Sequence, residues 1–282
     1  MPRIILLLLF SISAGVLSAQ KMPVIDALKK GWVKVTIKGK GGHVGDVIEM
    51  IVSNISGKDL DLVLEAGHRL DSKDSTVQDI LVNREEKFVL GSGKTKTVAV
   101  SGMCCQARKH SPAKESIFLV GQKADSLLVK MAKFIDEKKL HKSQAAQSGV
   151  WVVSDGNPME SIYDYSDTVA TRLVTEYICK LLNKPMPNYR IRYAADSLSA
   201  FSNQPTHIEG KLTYYVPNTS VVTIAIYDKN GKVVKWFMKE QPVNPGEYNL
   251  GYEFNVSTLP HGKYYLRVRV DGALKKEVEL QF

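Results

Sequence analysis

Residues 246–282 read GEYNLGYEFNVSTLPHGKYYLRVRVDGALKKEVELQF, and this stretch decides the fold. Tyr248, Leu250, Tyr252 and Phe254 alternate with Glu247, Asn249, Gly251 and Glu253. Beyond Leu259-Pro260-His261-Gly262 the same period returns in Tyr264, Leu266, Val268 and Val270. Successive side chains of a strand point to opposite faces, so each run predicts a half-buried strand, with a turn between them. Asp271-Gly272 suits the positive φ of a tight hairpin, and the strand after it places Val278, Leu280 and Phe282 on one face. No catalytic constellation occurs in this stretch.

Immediately upstream the same signal continues. Residues 211–216, 221–227 and 233–238 read as strands, with Asp228-Lys229-Asn230-Gly231 as a hairpin turn. Together these make about six strands, and an immunoglobulin-like β-sandwich over 206–282 accounts for them. Residues 196–205 are polar and aperiodic, the composition of a linker.

Several motifs in this region resemble a known family. They are Tyr214-Tyr215-Val216-Pro217-Asn218 before a strand, the run from Val222 through Tyr227-Asp228-Lys229-Asn230-Gly231 to Val234, Asn244-Pro245-Gly246-Glu247-Tyr248, Leu259-Pro260-His261-Gly262-Lys263-Tyr264-Tyr265, and a terminal strand holding Lys275 and Lys276. Roughly the last quarter of the chain resembles the immunoglobulin-like C-terminal domains of the flagellar-hook-cap type. It resembles more closely the C-terminal sorting domains of the type IX secretion system of Bacteroidetes. Two features depart from that pattern: Lys263 stands where an apolar residue is usual, and the opening Pro-Asn-Pro is missing. The resemblance implies export to the cell surface or medium via the periplasm, with the secretion machinery as partner of the C-terminal domain.

Residues 32–120 read as all-β. Val33, Val35 and Ile37 alternate with lysines and Thr36; Ile48, Met50 and Val52 resume the pattern, and Leu60, Leu62 and Leu64 form a matching face. Further strand signals lie at 78–82, 87–90 and 95–100, and short strands at this spacing predict a β-sandwich. The period then becomes helical. Leu127, Leu128, Met131, Ile135 and Leu140 share a face over 125–140; Ala146, Val150 and Val153 share one over 143–153, with Trp151 beside it; Val169, Leu173, Tyr177 and Leu181 recur over 167–182. Asn183 and Pro185 end the last helix. The expected fold class is mainly β with a helical segment: an N-terminal β-sandwich over 20–195 capped by about three helices, then the C-terminal sandwich.

Residues 1–19 have the basic start at Arg3, the apolar run from Ile4 to Phe10 and the small-residue exit Leu17-Ser18-Ala19 of a secretory signal. The run falls short of the roughly 20 residues needed to span a bilayer, so no membrane span is expected. Gln20 stands where a lipoprotein would carry Cys. The chain is moderately basic, with 38 Lys and Arg against 29 Asp and Glu. Without Arg-aromatic clusters this does not point to nucleic acid. Residues 104–150 carry nine Lys or Arg against four Asp or Glu, a solvated face or a surface for an anionic cell-surface glycan.

Gly93-Lys94-Thr95 lacks the earlier glycine of a phosphate-binding loop, since Phe88 occupies that position, and it reads as a hairpin. The six histidines show no metal-ligand spacing, and neither metal nor cofactor is expected. Cys104-Cys105, followed by Arg108, Lys109 and His110, allows two readings. Nearby cations lower a thiol pKa, which suits a secreted thiol hydrolase using Cys104 or Cys105 with His110. Export and an odd cysteine count favour one disulfide, such as a bridge to Cys179. The function expected is therefore a non-enzymatic exported binding or structural protein, with the thiol hydrolase as alternative.

Overall fold

The structure, a computed structural model, describes residues 21–194 and 201–282. The expected leader, residues 1–19, and residues 196–200 of the expected linker lie outside the described residues.

The first part of the chain runs β1 (Met22–Pro23), α1 (Val24–Lys29), β2 (Val33–Lys40), β3 (Val44–Asn54), β4 (Leu60–Leu64), β5 (His68–Ser72), β6 (Ile80–Val82), β7 (Glu86–Leu90), β8 (Thr95–Cys104) and β9 (Lys114–Lys123). The turn at 91–94, expected as a hairpin, instead passes the chain from β7 in one sheet to β8 in another, and is closed by a bond from the Lys94 amide to the Gly91 carbonyl. Strands β2, β3, β8, β6, β5 and β9 form a closed barrel in that order, every pair antiparallel. The seam is β9. Its Phe118 is the register partner of Ile37 on one side and Ser72 on the other, and it is 2% exposed. Closure satisfies the backbone groups that an open sheet would leave at its edges. A small sheet, β1-β4-β7, shares the barrel's core: Leu60, Leu62, Phe88 and Leu90 join one apolar cluster with Ile37, Met50 and Val100. At the β6–β8 contact a Cβ on Gly102 would lie 2.3 Å from Ile80 Cγ2, so only glycine permits that approach.

The N-terminal β-sandwich expected from the alternation is therefore corrected to a barrel. The two strands that close the ring carry no alternation. In β9 the run Ile117-Phe118-Leu119-Val120 is continuous, and Ile117 and Leu119 are 37% and 53% exposed on either side of the buried Phe118. In β5 the single buried apolar residue is Leu70. Without β5 and β9, the visible strands look like open layers that must be stacked.

Three helices cover the barrel: α2 (Ser126–Glu137), α3 (Gln144–Asp155) and α4 (Thr168–Leu182). Asp125, Ser143 and Asp167 cap their N-termini by accepting amide bonds, each cap contributing about 1 kcal/mol. Gly156 and Asn183 end α3 and α4 in the left-handed conformation. Leu128, Met131, Ile135, Ala146, Val150 and Ile178 form a second core against Leu81, Met103 and Cys105 of the barrel side. The α4 stripe is displaced from the one expected. Val169 is 76% exposed, Leu173 and Tyr177 pack at the margin of this core, and Ala170, Val174 and Ile178 carry the fully buried contact. The reason is close helix packing at Gly149, where an added Cβ would come within 2.8 Å of Val174 Cγ1 and Ile178 Cδ1. Trp151 points the other way, into the barrel core, and its Nε1 donates to Gln78 Oε1 at 3.2 Å.

The remaining strands are β10 (Tyr189–Tyr193), β11 (Pro205–Val216), β12 (Ser220–Asp228), β13 (Val233–Val243), β14 (Gly246–Asn255), β15 (Lys263–Val270) and β16 (Ala273–Gln281). They form two sheets, β10-β11-β14 and β13-β12-β15-β16. Ile208, Leu212, Tyr252 and Phe254 from one meet Val222, Ile224, Leu266, Val268 and Leu280 from the other in a single core. This is the immunoglobulin-like sandwich expected from the alternation in 246–282.

Candidate functional site

Three motifs of the C-terminal region include turns of this sandwich, and each turn has a structural cause. In Leu259-Pro260-His261-Gly262-Lys263-Tyr264-Tyr265, Leu259 packs on the core while the buried Tyr264 donates its hydroxyl to the Pro260 carbonyl at 2.9 Å. Its ring stacks on Phe282 at 4.9 Å, and the backbone of Phe282 bonds reciprocally with Gly262. The terminal strand is thereby tied to the turn. Lys263, the departure from the family pattern, places Nζ 2.7 Å from Glu279 on the adjacent strand, so an ion pair stands where an apolar side chain is usual. In Asn244-Pro245-Gly246-Glu247-Tyr248, Tyr248 donates to the Asn244 carbonyl at 2.8 Å and stacks on Tyr214. Asp228 closes its turn by accepting from the Asn230 and Lys232 amides, both at 2.9 Å. Asp271 does the same across strands for the Val221 amide, which holds its carboxyl below the usual range.

The outer face of the four-stranded sheet carries Arg267 between the rings of Tyr227 and Tyr265, 5.0 and 5.1 Å away, and paired to Glu277 at 2.6 Å. Trp236 and Arg267 are the register neighbours of Ala225 and flank it on this face.

The vicinal cysteines do not form the expected chemistry. Cys104, Cys105 and Cys179 are all free and buried, so the expected disulfide is not formed. Burial pushes the Cys104 thiol far above its usual range. It does the same to Cys105, where the charges of Cys104 and Asp79 add to the burial and Arg69 opposes it. A thiol held protonated and enclosed is a poor nucleophile. His110 is exposed, held by backbone bonds to Thr76 and Gln78, and no hydrogen bond joins it to either thiol among the described residues. The group that does meet Cys104 is Gln147 of α3, which gives no warning in the sequence. Its Oε1 accepts from the Cys104 amide and its Nε2 donates to the Cys104 carbonyl, both at 2.9 Å.

The basic run at 104–150 is divided rather than gathered. Lys123 pairs with Glu65 at 3.2 Å and Lys138 with Glu137 at 2.7 Å. A cleft of about 960 Å³ lies between α4 and the β10-β11-β14 sheet, with Arg172, Glu176, Arg190, Glu209 and Glu253 on its walls. These charges largely compensate one another: Arg172 pairs with Glu176, and Arg192 bridges Glu209 and Glu253. Among the described residues no three His, Cys, Asp or Glu side chains converge as a metal site, and no helix is long and apolar enough to cross a membrane.

No curated protein matches the chain. Residues 205–278 match the family model of the secretion system C-terminal sorting domain, so the sandwich is a sorting domain and the chain is one exported to the cell surface or medium.

Proposed function

We propose that this is a non-enzymatic exported binding or structural protein, carried to the cell surface or medium by the type IX machinery acting on its C-terminal sandwich. In this reading residues 1–19 are the export leader, 20–195 the delivered unit, 196–205 the connection and 206–282 the delivery domain. The observation that carries it is the match of residues 205–278, joined to a sandwich whose motif residues are spent on its own turns. The barrel supports a binding or scaffolding role because its interior is filled by Ile37, Met50, Leu70, Val100 and Phe118. A packed barrel has no lumen for a substrate, and its ligand would be met on the outside.

The experiment is deletion of residues 206–282 followed by fractionation of the native host into periplasm, surface and medium. The truncated chain is expected to accumulate in the periplasm. Unchanged delivery would reduce the sandwich to a structural module.

A further inference from the structure

Strand β10 lies upstream of residues 205–278, yet it is a strand of the sandwich. It pairs antiparallel with β11, Tyr189 opposite Gly210 and Ile191 opposite Ile208. Tyr189 and Ile191 are 8% and 2% exposed and belong to the sandwich core. The Tyr189 hydroxyl also crosses to the other sheet, donating to the Gln281 carbonyl at 3.2 Å and accepting from the Gln281 amide at 2.8 Å. Its alternation explains this: Tyr189, Ile191 and Tyr193 face one way, Arg190 and Arg192 the other.

The outward arginines hold the helical side. The guanidinium of Arg190 lies 5.1 Å from the Tyr163 ring and that of Arg192 lies 5.7 Å from Tyr165, two residues of the segment before α4. Upstream, the chain leaving α4 is braced at Cys179, whose carbonyl accepts from the Lys184 amide and whose thiol donates to the Pro185 carbonyl at 3.5 Å. Strand β10 is thus rooted in the barrel-and-helix unit and inserted into the sorting sandwich.

We infer that β10 is a donor strand: it completes the sorting sandwich and holds the barrel-and-helix unit to it without chain continuity between Ala194 and Phe201. The inference rests on the proposed delivery role only for its meaning, which is that the delivered unit stays docked on its delivery domain through an inserted strand. The geometry of the strand stands apart from that role.

The test uses the full chain with a protease recognition sequence inserted between residues 197 and 198. After cutting, the two fragments should co-elute in gel filtration at the volume of the uncut protein. Ile191→Asp in the same chain should separate them into two peaks. Separation of the unsubstituted fragments on cutting, or unchanged co-elution with Ile191→Asp, would overturn the inference. Because Ile191→Asp could prevent folding, Tyr189→Phe in the uncut chain supplies a second reading. It should raise hydrogen exchange at the Gln281 amide about tenfold while leaving the barrel amides unchanged. No change at Gln281 would also overturn the inference. Association is read in the tube and delivery in the host, so the two ideas fail separately.

Discussion

Replacing Gln147 by Leu tests how the helices are fastened to the barrel. Strand β3 begins at Val44 opposite Met103, so Cys104 has passed the end of its neighbour in the sheet. The Cys105 amide bonds to the Asp79 carbonyl, which leaves the Cys104 backbone groups pointing away from β6. The Gln147 amide takes the place of the missing strand, and the side chain is fully enclosed at 0% exposure. Leu has nearly the same volume but cannot bond, so a buried N–H and a buried C=O lose their partners together. Each costs about 1–3 kcal/mol, and the apolar gain of Leu over a buried amide offsets about 1–2 kcal/mol. From the middle of these ranges the expected net loss is about 2.5 kcal/mol, a fall of roughly 5–10 °C in Tm for a unit of this size. Scanning calorimetry of Gln147→Leu beside wild type measures it, and hydrogen exchange at the Cys104 amide localises it. A Tm within about 1 °C of wild type, with the Cys104 amide still protected, would refute the reasoning.

Trp151→Ala should cost about 3–5 kcal/mol, since the indole is 4% exposed in the barrel core, whereas Trp151→Phe, which loses the bond to Gln78 (about 1 kcal/mol) and only part of the ring's packing, should cost less; equal melting of Trp151→Ala and wild type would contradict the packing. Native protein at neutral pH should label slowly at Cys104 and Cys105 and show three free thiols once unfolded without reductant, as burial and the raised thiol pKa values require; rapid native labelling, or a bridge seen by mass, would count against it. Burial opposes ionisation of Asp164, but the Ser166 hydroxyl and the Ser166 and Gln144 amides outweigh it and hold the carboxyl below the usual range. That stabilisation is present above the ordinary aspartate range and is lost as pH falls through the depressed folded value. Urea melts of Asp164→Asn should therefore show a deficit at pH 7 that narrows in acid, and a deficit constant with pH would refute the assignment.

The sequence makes the sandwich legible because its strands are amphipathic: Leu266, Val268 and Val270 face a core while Arg267 and Arg269 face out. The helices are legible in extent for the same reason, though not in rotation, since the face of α4 is chosen by the gap at Gly149 and not by its most apolar stripe. Barrel closure is hidden because it rests on β5 and β9, which are too polar or too continuous to show a period. Strand β10 is hidden in a different way. Its five residues YRIRY do alternate, but they lie before a polar stretch and so read as the end of the preceding unit. Nothing local reveals that their partners are Ile208 and Gly210. The Cys104-Cys105 pair misleads because the cation that acts on Cys105 is Arg69, not the flanking Arg108 or Lys109, and because Cys104 turns into the barrel core and Cys105 toward the helices while His110 stays at the surface.

As the proposed delivery domain, the C-terminal sandwich should carry whatever precedes it. The most direct measurement is to join residues 189–282 to a periplasmic reporter in the native host and quantify the reporter at the surface and in the medium. The fusion is expected to leave the periplasm while the reporter alone stays there. A fusion that folds and yet remains in the periplasm would contradict it.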